Sequence, residues 1–365
     1  MLDGRPLIDV HLHPARRPTV KLAWDQWATD FGAIDQVNSL YDADGTVVPA
    51  RFDALLAGEG VDVAMVLSEY SPRVTGIQAI EDMVPLAAHN PGRIKIAANI
   101  NPHLHYPVED ELQRQLGLGA IALKIHPVHA GIAANDRSLY PAYAICQDAG
   151  LPVVVHCGTS TFPGASNTFA DPVVLDDVLR DFRRLNLVLA HGGRGWWYDA
   201  AAFMALSSDR VWIELSGLPP SRLREYYARH HWGRLTRRMI FATDWPGIPG
   251  IARNARAVAA LCPDEEIAGL VLAGHASQVY HLELPRLQTR REPGTGFSGR
   301  PGKRSGRTIR QLLVAWANSF PSALASRAVA SAVRRPRFST LPSHTSRPVV
   351  EVIGRMNRTD RSSEV

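Results

Sequence analysis

The sequence predicts an α/β fold, a (β/α)8 barrel of the TIM type, followed by a basic and largely disordered C-terminal tail. Three observations carry the prediction. Short β-branched runs alternate with helical stretches eight times in the first 285 residues, several runs are apolar on both faces, and ligand-type side chains stand at their ends. The runs are 7–13, 61–68, 94–99, 120–126, 152–157, 187–191, 211–216 and 239–244. Helical composition or spacing marks 49–57, 76–89, 108–116, 139–149, 172–185, 198–207, 220–230 and 251–261, and a last helix reads from 264 to 284. Runs such as Leu151-Pro152-Val153-Val154-Val155 lack a polar face, as expected for strands covered by helices. The long connection 14–48 carries Trp24, Trp27 and Phe31, and a connection of that length reads as a lid or binding loop.

Beyond Pro285 the composition turns to Arg, Ser, Pro and Gly, so the domain reading is a barrel at 1–285 and a tail at 286–365. The tail holds 16 Lys/Arg against 4 Asp/Glu, which leaves 24 against 31 in the barrel. The formal charge of +5 therefore belongs to the tail, and the mildly acidic barrel is not expected to bind nucleic acid. Cys146, Cys157 and Cys262 fit neither a disulfide framework nor a zinc-finger spacing, which points to a reducing compartment. No apolar run reaches the ~20 residues of a membrane span, and the N-terminus leaves no room for a signal peptide. A soluble cytoplasmic protein is expected, its oligomeric state open, a homodimer included.

The chemistry is concentrated at the ends of the runs, which in a (β/α)8 barrel converge on one mouth. The first ends Asp9-Val10-His11-Leu12-His13, and the pleat places His11 and His13 on one face, able to reach a single ion. The fifth ends at His156, the sixth at His191 and the eighth at Asp244. One histidine at a strand end is most simply satisfied by backbone; four with an aspartate at one mouth strain that explanation. Neutral imidazoles and a carboxylate suit one divalent ion, zinc first, with manganese or iron as alternatives. Cys157 alternates away from His156 and reads as core.

These motifs, together with Ala122-Leu123-Lys124-Ile125-His126-Pro127, Glu214-Leu215-Ser216-Gly217 and Leu272-Ala273-Gly274-His275, resemble the amidohydrolase-related branch (amidohydrolase family 2) of the metal-dependent amidohydrolases. Its relatives include the aminocarboxymuconate-semialdehyde decarboxylase group. The resemblance covers 7–284. It implies that His11, His13, His156 and Asp244 bind the metal and that His191 acts beside the water or substrate as acid/base. His275 stands at a capping position where the family usually has Asn. Lys124 resembles the carboxylated lysine of two-metal members, but is read here as pairing with a substrate carboxylate or a neighbouring acid. Arg194 and Trp196 are candidate walls for a planar, anionic substrate, with rim pairing and helix packing as the plainer alternatives.

The expected activity is hydrolysis of an amide, ester or lactone carbonyl of a small, carboxylate-bearing molecule by metal-activated water, with Asp244 and His191 catalytic. The alternative is a carboxy-lyase, a non-oxidative decarboxylase of an aromatic or unsaturated acid.

Overall fold

The structure is a computed structural model, and residues 1–284 are described. The tail assigned to 286–365 lies outside the described residues. Eight strands, Ile8–Leu12, Val63–Leu67, Ile94–Asn99, Ala120–Ile125, Val153–Gly158, Leu187–Arg194, Val211–Glu214 and Met239–Ile240, pair in parallel, each with the next in chain order. The ring closes at its C-terminal rim, beyond the last residues of the first and eighth strands. There the Asp244 amide donates to the His11 carbonyl at 3.0 Å and the His13 amide to the Trp245 carbonyl at 2.8 Å. Below them the Thr243 hydroxyl donates to the Asp9 carboxylate at 2.6 Å. Burial pushes the Asp9 carboxyl up to about 7 against these hydrogen bonds.

The pleat sorts side chains into two cores. Ile8, Val10, Met65, Val154, Ala190 and Ile240 fill the barrel, while Leu7, Val66, Val155, Leu189 and Cys157 pack outward against the helices. Cys157 is core, as its alternation requires.

Several elements differ from the sequence reading. The helix expected over 76–89 begins at Ile80, because Gly76–Gln78 pairs antiparallel with Glu69–Ser71 as a small hairpin. Gly76 has φ +107°, and a Cβ there would lie 2.4 Å from the Thr19 carbonyl oxygen, so no side chain fits the turn. The stretches 172–185 and 220–230 each open with a 3-10 turn at a proline, leaving short helices Leu175–Asp181 and Leu223–Tyr226. The last helix is interrupted by a π-turn at Leu270–Gly274 and ends at Tyr280. The connection 14–48 is largely helical, with helices Leu22–Phe31 and Ile34–Asn38. Among the described residues no helix is long and apolar enough to cross a membrane.

Candidate metal centre

The mouth of the barrel is assembled from strand ends. His11 and His13 project from the first strand and the residue after it, and their Nε2 atoms stand 3.1 Å apart. Each Nδ1 is held from behind: that of His11 by the Glu214 carboxylate at 2.7 Å, that of His13 by the Gln78 side-chain oxygen at 3.2 Å. Both partners are acceptors, so each imidazole carries its proton on Nδ1 and turns a bare lone pair toward the other. Asp244 adds a carboxylate oxygen 3.5 Å from His11 Nε2 and 3.6 Å from His13 Nε2. Two lone pairs and an anionic oxygen converging in a buried site repel one another unless a cation lies between them. The donor set therefore fits a divalent ion. Desolvation pushes the imidazoles of His11, His13, His156 and His191 below their ordinary range, keeping them neutral.

His156 lies on the interior face of the fifth strand, its ring 4.3 Å from that of His191. Its Nε2 donates to the Gly158 carbonyl at 3.1 Å, while Nδ1 is buried with no partner among the described residues. That orphaned lone pair is a second feature of the site that a cation would satisfy. The Nδ1 of His191 faces the Ser216 carbonyl at 3.0 Å and hydroxyl at 2.9 Å, and lies 3.9 Å from Asp244. His191 and Asp244 both hold left-handed backbone, φ +63° and +69°, a conformation costing such residues ~1–3 kcal/mol each. Gly217 leaves room for them: a Cβ there would sit 2.9 Å from an Asp244 carboxylate oxygen.

Lys124 is fully buried with Nζ 3.4 Å from His11 Nε2, beside the ligand set and outside the cavity walls. Burial lowers its ammonium pKa, opposed by Glu214 and Asp244. Arg194 lines the mouth, its Nε and Nη2 donating to the Thr159 carbonyl at 3.1 and 3.0 Å. Trp196 is 73% exposed, packs on Trp197 and lies outside the lining. The aromatic wall comes instead from Trp27, Phe31 and Phe162, which border a cavity of about 580 Å³. A space of about 30 Å³ beneath it touches His11, His13, His156, His191 and Asp244.

The sequence reading passed over a second cluster. Glu69, two residues after the end of the second strand, stands with His126 and His129, which follow the fourth. Burial opposes ionisation of Glu69, and the His126 and His129 imidazoles overcome it, holding the carboxyl well below its ordinary range. The strand-end rule that found His156 applies equally to Glu69, the residue after the run 61–68.

The Amidohydrolase family profile matches residues 8–282. The chain belongs to the amidohydrolase family. Members of this superfamily bind metal, and the described residues hold two candidate ligand groups, His11–His13–Asp244 and Glu69–His126–His129. No curated protein matches the chain significantly. Among solved structures, an uncharacterized TIM-barrel protein from Bordetella bronchiseptica is 20% identical with a TM-score of 0.62, the match covering 76% of this chain and 99% of that one. 5-Carboxyvanillate decarboxylase from Sphingomonas paucimobilis is 16% identical with a TM-score of 0.52 over 76% and 99%. A probable 2-pyrone-4,6-dicarboxylic acid hydrolase from Acinetobacter baumannii, with citric acid bound, is 15% identical with a TM-score of 0.52 over 75% and 99%. At these identities the likeness is one of fold.

Proposed function

We propose that this amidohydrolase is a metal-dependent hydrolase acting on an amide, ester or lactone carbonyl of a small, carboxylate-bearing substrate. His11, His13, His156 and Asp244 hold one divalent ion, with zinc the first choice and manganese or iron the alternatives. The observation that carries the reading is the pair of Nε2 atoms 3.1 Å apart beside the Asp244 carboxylate, with each ring held at Nδ1 by an acceptor. When bound, such an ion lowers the pKa of water from ~15.7 to ~7 and polarises a carbonyl.

The chain supplies the rest. Asp244 accepts the proton of the attacking water and returns it to the leaving group. His191, its Nδ1 fixed by Ser216, presents Nε2 to the substrate as acid/base and orienting group. Glu214 and Gln78 fix the tautomers of His11 and His13. Arg194 on the cavity wall pairs with the substrate carboxylate, while Trp27 and Phe162 exclude water around it. Lys124 stands beside the ligand set, its Nζ 3.4 Å from His11 Nε2.

A second reading, decarboxylation of an aromatic or unsaturated acid, draws on the same residues. The aromatic wall beside Arg194 favours it, since a planar acid stacks there, and the fold is shared with 5-carboxyvanillate decarboxylase. Elemental analysis joined to an assay that scores both CO₂ release and ester, lactone or amide cleavage separates the two. His156→Ala and Asp244→Asn are each expected to lose bound metal and to lower turnover roughly a hundredfold or more. Wild-type metal content and rates in both variants refute the assignment.

A further inference from the structure

We propose that Ser160 is a second nucleophile of this cavity, activated by His129 and Glu69, and that it forms a covalent acyl-enzyme with small esters or lactones. The inference is independent of the metal reading. Ser160 Oγ lies 2.8 Å from His129 Nε2, and His129 Nδ1 lies 2.7 Å from Glu69 Oε1. Glu69 also accepts from the Thr75 hydroxyl at 2.7 Å and the Gln78 amide at 3.4 Å. An ionised carboxylate only accepts, so the His129 proton sits on Nδ1 and the Nε2 lone pair faces the serine hydroxyl. Serine, imidazole and carboxylate in this order, at these distances, form the nucleophile–base–orienter arrangement of acyl-transfer enzymes.

The parts are held in place. His126 stacks on the His129 ring at 3.5 Å and 13°, and Phe162 meets its edge at 5.7 Å and 89°. Asn167 clamps the backbone of Ser160 on both sides, accepting from its amide at 2.8 Å and donating to its carbonyl at 3.1 Å. Ser160 borders both the 580 Å³ cavity and the small space beneath it, and its Oγ also accepts from the Phe162 amide at 3.4 Å. A histidine serving only the core needs no hydroxyl on a cavity wall.

In the step, Ser160 Oγ bonds to the carbonyl carbon as its proton passes to His129 Nε2. The bond to the leaving alcohol then breaks, and that alcohol takes the proton from His129. Water, deprotonated by the same imidazole, displaces the acyl group as a carboxylic acid and Ser160 recovers its proton.

The test uses the full-length protein and an aryl phosphonofluoridate, which traps an activated serine by exchanging fluoride for the serine oxygen. One phosphonyl group is expected on the peptide containing Ser160, absent in Ser160→Ala. Glu69 positions His129 without touching the probe. Glu69→Gln is therefore expected to lower the maximal labelling rate about a hundredfold with the half-saturating concentration unchanged, a split that a merely structural role does not produce. If Glu69→Gln does not fold, the wild-type adduct and its loss in Ser160→Ala decide. No adduct, an adduct elsewhere, or undiminished labelling in a folded Glu69→Gln overturns the proposal. So do two bound ions per chain that fall to one in His129→Gln, which would assign the cluster to a second metal. Because adduct mass is read rather than turnover, failure here leaves the hydrolase proposal to its own test.

Discussion

Glu214 sits at the end of the seventh strand with no exposure, one oxygen on His11 Nδ1 and the other accepting from the Ser216 amide at 2.9 Å. It touches no cavity, yet it decides which nitrogen of His11 faces the site. Glu214→Ala leaves a buried N–H without an acceptor, at a cost of about 1–3 kcal/mol. It is expected to weaken metal affinity about 10–100-fold in a chelator competition, with His11 itself intact. Buried groups outside the ligand set impose an alkaline limit. Burial raises the Cys146 thiol from 9.0 to about 12, that of Cys262 to about 11, and the Tyr41 phenol from 10.0 to about 12. A folded pKa above the unfolded one means that folding favours the protonated form. The stability from these groups is whole below about pH 9 and declines as pH rises toward 12. Melting temperature is expected to hold from pH 7 to 8.5 and fall between pH 9.5 and 11; a flat profile there contradicts the burial assigned to them.

At the scale of elements, prolines and glycines set boundaries that periodicity misplaces. The stretch 172–185 has helical composition, but Asp171 caps a 3-10 turn at Pro172 through the Val173 amide at 2.9 Å, and the α-helix starts only at Leu175. Gly192, in the sixth strand, has φ +53°, and a Cβ there would stand 2.1 Å from the Tyr227 hydroxyl. That hydroxyl donates to the Gly192 carbonyl at 2.8 Å, so Gly192→Ala must displace a buried tyrosine next to His191. A loss of about 1–3 kcal/mol is expected in urea unfolding, with reduced activity. Gly117 ends the helix Val108–Gly117 with nothing within 4 Å of where an alanine methyl would stand and no left-handed φ. Gly117→Ala is expected to be neutral or to stabilise by up to ~1 kcal/mol, which separates a steric requirement from mere glycine content.

Over the whole molecule, closure of the ring makes the centre. The hydrogen bonds from Asp244 to His11 and from His13 to Trp245 are at once the seam of the sheet and the means by which first-strand imidazoles meet the eighth-strand carboxylate. Fold and site share one set of contacts, so loosening the seam weakens both. The ring, its helices and both cavities lie within the described residues, and the basic charge lies beyond them. A chain ending at Pro285 is expected to keep the turnover and metal content of the full protein, measured side by side; loss of either places part of the catalytic unit in the tail.

The sequence by itself determined the eight-fold alternation, the shared face of His11 and His13, the outward turn of Cys157, and five side chains at one mouth: His11, His13, His156, His191 and Asp244. Those follow from local rules, since the pleat has period two and barrel strands end together. Tertiary structure alone decided what stands behind and beside them. Glu214, His129 and Ser160 come from separate loops and strand ends and Gln78 and Glu69 from one hairpin, and their meetings depend on closure, on the hairpin turned by Gly76 and on the stacking of His126 on His129. Likewise Trp196 follows Arg194 closely in sequence but points to solvent, while Trp27 arrives at the cavity from a distant helix. Neighbourhood along the chain predicts a strand; a pocket wall is fixed by packing between elements, which no local pattern encodes.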